Sequence, residues 1–254
     1  MATHFPIEDI LSGCGKCHAE LSFDFTFAFQ PILDLETRQI FGYEALVRGR
    51  QQESAWHVLS QVNDQNRYAF DQACRVKAIQ LASELKLDSM LSINFLPNAV
   101  YEPAHCIQST LRAAKQFGFP IESIMFEITE SEQVQKVEHL TKIFDYYQKQ
   151  GFTTALDDFG AGHAGLNTLA NFVPNIMKID MELVRDIHTH TTKQIIVKNL
   201  VTMCNQLNVR VLAEGLETRD EVEFFRNLNV HLMQGYFFAK PGFESLPVYD
   251  WSDL

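Results

Sequence analysis

An α/β fold, closed as a (β/α)8 TIM-like barrel, is the architecture this sequence predicts. Three observations carry that prediction. Eight short apolar runs alternate with helix-like stretches. The runs are rich in Ile, Val, Leu and Phe and too continuous to be buried on one face only. No Gly/Ser- or Pro-rich linker and no short-period repeat divides the 254 residues, a length that suits one such unit. A doubly wound open sheet is the competing architecture.

In chain order, residues 1–22 read as an N-terminal extension with its own chemistry, and 23–254 as a single domain. The strand candidates are Thr26–Leu33, Gln39–Val47, Met90–Phe95, Ser123–Thr129, Thr153–Asp157, Ile176–Ile179, Arg210–Glu214 and His231–Phe237. Helical periodicity fills Tyr68–Leu85, where Phe70, Ala73, Cys74, Val76, Ala78, Ile79, Leu81 and Ala82 are apolar. Val134–Gln150 and Lys193–Leu207 behave similarly. Thr218 followed by Glu221 is the spacing of a helix-starting capping box.

Polar residues fall where the strands end. Glu44 ends the second, Asn94 the third, Glu127 the fourth, and the pair Asp157 and Asp158 the fifth. Lys178 and Asp180 flank Ile179 in the sixth, Glu214 ends the seventh, and Gln234 lies in the eighth. One ionisable strand end is ordinarily a surface or capping residue. Many at one barrel mouth, each bordered by apolar neighbours, would repel one another without counter-ions. Glu, Asp and Asn oxygens with no matching Cys/His set suit hard divalent cations, Mg²⁺ or Mn²⁺. Adjacent Asp157 and Asp158 suit two ions, with one carboxylate bridging. Paired ions serve in-line displacement at phosphorus, and Lys178 would then stabilise developing charge or orient water. The bland alternative is a structural cation or a buried ion-pair network.

The net charge of −11 argues against duplex nucleic acid, while leaving room for a phosphodiester approached through bound cations. No apolar stretch approaches a membrane span, and the first ten residues lack a signal-peptide pattern. Five scattered cysteines, Cys14, Cys17, Cys74, Cys106 and Cys204, then read as reduced and cytoplasmic. Cys14-Gly15-Lys16-Cys17-His18 fits the c-type haem attachment spacing, a redox thiol pair and half a zinc site. An ordinary pair near the N-terminus is the preferred reading. Cys74 and Cys204 fall on apolar helix faces and are expected in the core. The 20 phenylalanines are expected to pack, with Phe237 or Phe238 bordering a bound base.

These motifs, in this order, resemble the EAL domain, a bacterial family that hydrolyses cyclic di-GMP to linear 5′-pGpG. Glu44-Ala45-Leu46 continues into Val47-Arg48-Gly49 and follows Phe29-Gln30-Pro31-Ile32. Asp157-Asp158-Phe159-Gly160, Lys178-Ile179-Asp180, Ala213-Glu214-Gly215-Leu216-Glu217-Thr218 and Gln234-Gly235-Tyr236-Phe237-Phe238 resemble the later motifs, from about Phe25 to Pro241. The resemblance implies one antiparallel strand in the barrel. It implies a first metal held by Glu44, Asn94, Glu127 and Asp157, and a second held by Asp157 and Asp158. Lys178 would sit beside the nucleophilic water and Glu214 would support the second ion or its waters, so that Glu44, Lys178 and Glu214 form the catalytic set. Gln30, Arg48, Asp180 and Gln234 would line the substrate cleft, Arg48 with a fork of donors suited to phosphate. Glu130 would anchor the loop after Asp158, and that loop would contribute to a homodimer. Where the family often carries Thr-Gly-Tyr-Ser-Ser-Leu, this chain reads Ala161-Gly162-His163-Ala164-Gly165-Leu166, without two hydroxyls at what should be the start of a helix, where a Ser would cap. A weak or inactive receptor or protein-binding module is the rival reading. Its signature, a gap among the ligand and catalytic positions, is absent.

Overall fold

A computed structural model describes residues 21–129, 137–161 and 165–253. Its frame is a closed barrel of β1 (Thr26–Asp34), β2 (Gln39–Arg48), β3 (Met90–Asn94), β4 (Ile124–Thr129), β5 (Thr153–Phe159), β6 (Ile176–Ile179), β7 (Arg210–Ala213) and β8 (Leu232–Met233). Neighbours from β2 to β8 are parallel. β1 runs antiparallel to both β2 and β8 and closes the ring. The expected barrel with one reversed strand is therefore the observed one, and the open sheet is excluded. A short β9 (Gly242–Phe243) escaped the sequence reading. It takes the part of the β1 edge that β8 leaves free, pairing Phe29 with Gly242.

Helices fill the crossovers: α1 (Ala55–Leu59), α2 (Arg67–Glu84), α3 (Pro103–Cys106), α4 (Gln108–Phe117), α5 (Val137–Lys149), α6 (Gly165–Asn171), α7 (Met181–Val184), α8 (Thr191–Gln206) and α9 (Arg219–Arg226). Strand and helix bounds meet the periodicity within a few residues except at β8. That strand was expected over His231–Phe237 but pairs only at Leu232 and Met233. The chain then turns at the barrel mouth, where Gln234 N–H bonds the Ala213 carbonyl and Phe237 N–H the Leu216 carbonyl.

Two apolar layers hold the frame. Outside the strands, Phe126 packs on Tyr147 at 5.0 Å between ring centres, and Phe144 stacks on Phe172 at 4.1 Å. Each such buried ring contributes about 1.5–3 kcal/mol. Cys74 and Cys204 are buried as expected. Inside the barrel, Ile32, Met125, Ala155, Ile176, Leu212 and Leu232 form a dry floor. Side chains alternate along a strand, so the next inward residues lie two positions on: Glu127, Asp157, Lys178, Glu214 and Gln234. On reversed β1 the count runs backward, from Ile32 to Gln30, and Gln30 faces Glu44 in register. The fold thus stacks a polar ring directly on an apolar floor.

Candidate active site at the barrel mouth

Lys178 is the centre of this ring and is fully buried. Its Nζ lies 2.8 Å from Glu127 Oε2, 2.9 Å from Asp157 Oδ1, 2.8 Å from Glu214 Oε1 and 3.9 Å from Glu44 Oε1. Glu44 is steered by two amides, Asn94 Nδ2 donating to Oε1 and Gln234 Nε2 to Oε2, each at 2.9 Å. One lysine thus faces four carboxylates in a region closed to water on its inner side.

The charge balance is unfavourable, and the proton affinities record it. Burial pushes the Glu127 carboxyl up to about 8, with Glu44 and Asp157 adding to it against the attraction of Lys178. Burial and then Asp157 push Glu214 well above its ordinary range. Burial, Asp157 and Asp180 raise Asp158 to about 6. Burial works against the charge of Lys178, yet Asp157, Glu127 and Glu214 hold it protonated well above the ordinary lysine range.

These groups fit hard cations. Glu44, Glu127 and Asp157 each offer a carboxylate oxygen within 4.8 Å of the others, as do Asp157, Asp158 and Glu214, so Asp157 is common to both sets. Glu127 Oε1 is buried and, among the described residues, has no hydrogen-bond partner, the condition of an oxygen awaiting a ligand. Neither set contains Cys or His.

Adjacent residues on a regular strand point to opposite faces, so Asp157 and Asp158 cannot both enter one cleft without a break in β5. The break is present. Register with β6 slips between Leu156 and Phe159, and Asp158 takes φ 52°, a left-handed conformation that Asp tolerates better than most residues. Both carboxylates then line a cleft of about 310 Å³.

That cleft is also lined by Gln30, Glu44, Asp180, Glu214 and Gln234, together with Met181, Gly215, Glu217, Gly235 and Tyr236. Gln30 Nε2 donates to the Ala239 carbonyl at 3.2 Å. Asp180 lies just past β6 rather than within it and caps α7, accepting from Glu182 N–H at 2.8 Å. Arg48 ends β2 half-buried and donates to the Val47 carbonyl at 2.7 Å; it does not line the cleft. Phe237 is half-buried and Phe238 buried, and neither is among the residues lining the cleft. They pack on the core and on each other at 5.1 Å, and Tyr236 is the aromatic ring at the cleft. Met181 was missed; its only sequence signal is that it follows Lys178-Ile179-Asp180. Glu130, Cys14, Cys17, His18 and residues 162–164 lie outside the described residues.

Comparison with known proteins identifies the family. The EAL domain family matches residues 19–241. The chain is 30% identical over 228 residues to the blue light- and temperature-regulated antirepressor BluF of Escherichia coli K12, covering 89% of this chain and 57% of that protein. It is 27% identical over 229 residues to the probable cyclic di-GMP phosphodiesterase PdeN of the same organism, covering 85% and 43%. The chain therefore spans about half the length of these curated relatives. Among solved structures, a standalone versatile EAL protein from Vibrio cholerae O395 in its c-di-GMP-bound form is 57% identical, with a TM-score of 0.89, over 91% of this chain and 98% of that one. A manganese/cy-diGMP complex of Klebsiella pneumoniae BlrP1 is 32% identical, with a TM-score of 0.82, over 89% and 58%. Among the described residues no helix is long and apolar enough to cross a membrane. With its reversed first strand, its carboxylate-ringed mouth and a family match over most of its length, this chain belongs to the EAL domain family.

Proposed function

We propose that this protein hydrolyses cyclic di-GMP to linear 5′-pGpG with two divalent cations, Mg²⁺ or Mn²⁺. The observation that carries the reading is the buried ring in which one lysine faces four carboxylates and Glu127 keeps an unpartnered oxygen. Such a ring is poorly balanced alone and becomes balanced when cations enter.

In this reading Glu44, Asn94, Glu127 and Asp157 would hold the first ion, and Asp157 and Asp158 the second. When bound, the pair supplies an activated water and neutralises charge developing on the phosphoryl oxygens. Lys178, braced at about 2.8 Å by Glu127 and Glu214, orients that water and stabilises the developing charge. Glu214 would support the second ion or its waters. Gln30, Asp180 and Gln234 hold the dinucleotide across the cleft, and Arg48 reaches a phosphate by leaving its bond to Val47. Water oxygen bonds to phosphorus, one P–O ester bond opens, and a proton ends on the released sugar hydroxyl. Glu130 anchors the loop after Asp158, and the protein assembles as a homodimer.

A second reading, a cyclic di-GMP receptor or protein-binding module, draws on the similarity to an antirepressor. Purified protein incubated with cyclic di-GMP and Mg²⁺ or Mn²⁺, with products separated by chromatography, distinguishes the two. Formation of pGpG that disappears in Glu44→Ala, with the fold retained, supports the enzyme; binding without pGpG supports the receptor.

A further inference from the structure

Glu221 is buried, although it sits only three residues into α9. Part of its role is the capping box anticipated from the sequence: its N–H donates to Thr218 Oγ1 at 3.3 Å, and its Oε2 accepts from Thr218 N–H at 3.0 Å. A cap needs no more. Yet Oε2 also accepts Glu217 N–H at 2.9 Å, and Oε1 accepts Asp186 N–H at 2.8 Å from the loop after β6, 35 residues away in sequence. Burial works against the charge, but the N–H groups of Glu217, Asp186 and Thr218 outweigh it and hold the carboxyl below its ordinary range.

Further contacts join the same loops. Arg185 Nη2 donates to Glu217 Oε1 at 2.8 Å across the same two loops. Gly215, at φ 65°, sits so close to Met181 that a Cβ there would lie 2.4 Å from the Met181 Cβ. The loop after β8 joins in turn: Leu216 N–H donates to the Gln234 carbonyl at 3.2 Å, and a Cβ on Gly235 would lie 2.1 Å from the Leu216 carbonyl oxygen. Three consecutive mouth loops are laced into one wall. It carries two thirds of the cleft lining, Asp180, Met181, Glu214, Glu217, Gln234 and Tyr236 among them.

We propose that Glu221 is a positioning residue for the cleft: its carboxylate ties the loop after β6 to the loop after β7 and so sets where Met181 and Glu217 stand around the bound dinucleotide. This rests on the cleft being the cyclic di-GMP site. Replacing the carboxylate by a carboxamide leaves at least one of the Asp186, Glu217 and Thr218 N–H groups without its acceptor.

Glu221→Gln and Thr218→Ala separate this role from capping. Thr218→Ala removes the hydroxyl half of the cap and leaves all three carboxylate bonds. Both variants are expected to lower Tm. Only Glu221→Gln should raise KM for cyclic di-GMP about tenfold while kcat changes by less than about threefold. Only Glu221→Gln should speed amide hydrogen exchange at Asp186 and at Glu217–Thr218. Unchanged KM or unchanged exchange in Glu221→Gln, or equal changes in Thr218→Ala, would overturn the proposal. A wild type that forms no pGpG would count against the phosphodiesterase reading instead, and the exchange comparison would still decide whether Glu221 ties the loops.

Discussion

Glu127→Gln should stabilise the metal-free protein while weakening its response to cations. The carboxyl is fully buried and held up to about 8 against an ordinary 4.5. Between those values the folded chain keeps a proton that the unfolded chain has released. Stability therefore falls as pH rises from 4.5 through 8. At about pH 7.5 the full shift corresponds to roughly 4 kcal/mol. Relaxation and water entry reduce this to about 2 kcal/mol, an order-of-magnitude figure. Glutamine keeps the shape and never ionises, so the variant escapes this loss, and a protein of this size should gain about 4–8 °C in Tm. Near pH 4 the difference should vanish, because glutamate is then protonated in both states. Thermal melts of both proteins in chelator at the two pH values measure the effect, and a repeat with millimolar Mn²⁺ should stabilise the wild type more than the variant, which keeps only the Asp157–Asp158–Glu214 set intact. A variant less stable than wild type at pH 7.5 would refute the claim that the ring is electrostatically overloaded without cations.

Other consequences follow from the same geometry. Because Glu127, Glu214 and Asp158 hold protons above their ordinary range, cation binding should release protons and tighten from pH 6 to pH 8. Calorimetry in buffers of different ionisation heat reads this directly, and a binding heat independent of buffer would contradict it. Arg75 and Asp71 form a wholly buried ion pair in α2, and Asp71 Oδ1 also accepts Leu96 N–H at 2.9 Å just beyond Asn94. Arg75→Met should cost about 3–5 kcal/mol in urea unfolding by leaving Asp71 unpaired, and a loss under about 1 kcal/mol would contradict that role. Tyr236→Ala should raise KM for cyclic di-GMP severalfold and Phe237→Ala should leave it nearly unchanged; the reverse order would mean that the cleft runs elsewhere.

Local chemistry made much of this protein readable in one dimension. Alternation along each strand places Glu127 two residues after Met125, and Lys178 two after Ile176. A polar ring above an apolar floor is therefore written into the spacing, as is the Thr218–Glu221 cap. What the order of residues cannot express is what breaks the alternation and what crosses between elements. Asp157 and Asp158 share a cleft only because β5 slips register and Asp158 turns left-handed. Tyr236 rather than Phe237 meets the cleft because β8 stops after two residues and the chain turns there. Glu221 reaches Asp186 because α9 docks beside the loop after β6. Strand periodicity is a property of neighbours in sequence, whereas bulges, loop contacts and the pairing of distant buried charges are settled only when the barrel closes and water is expelled.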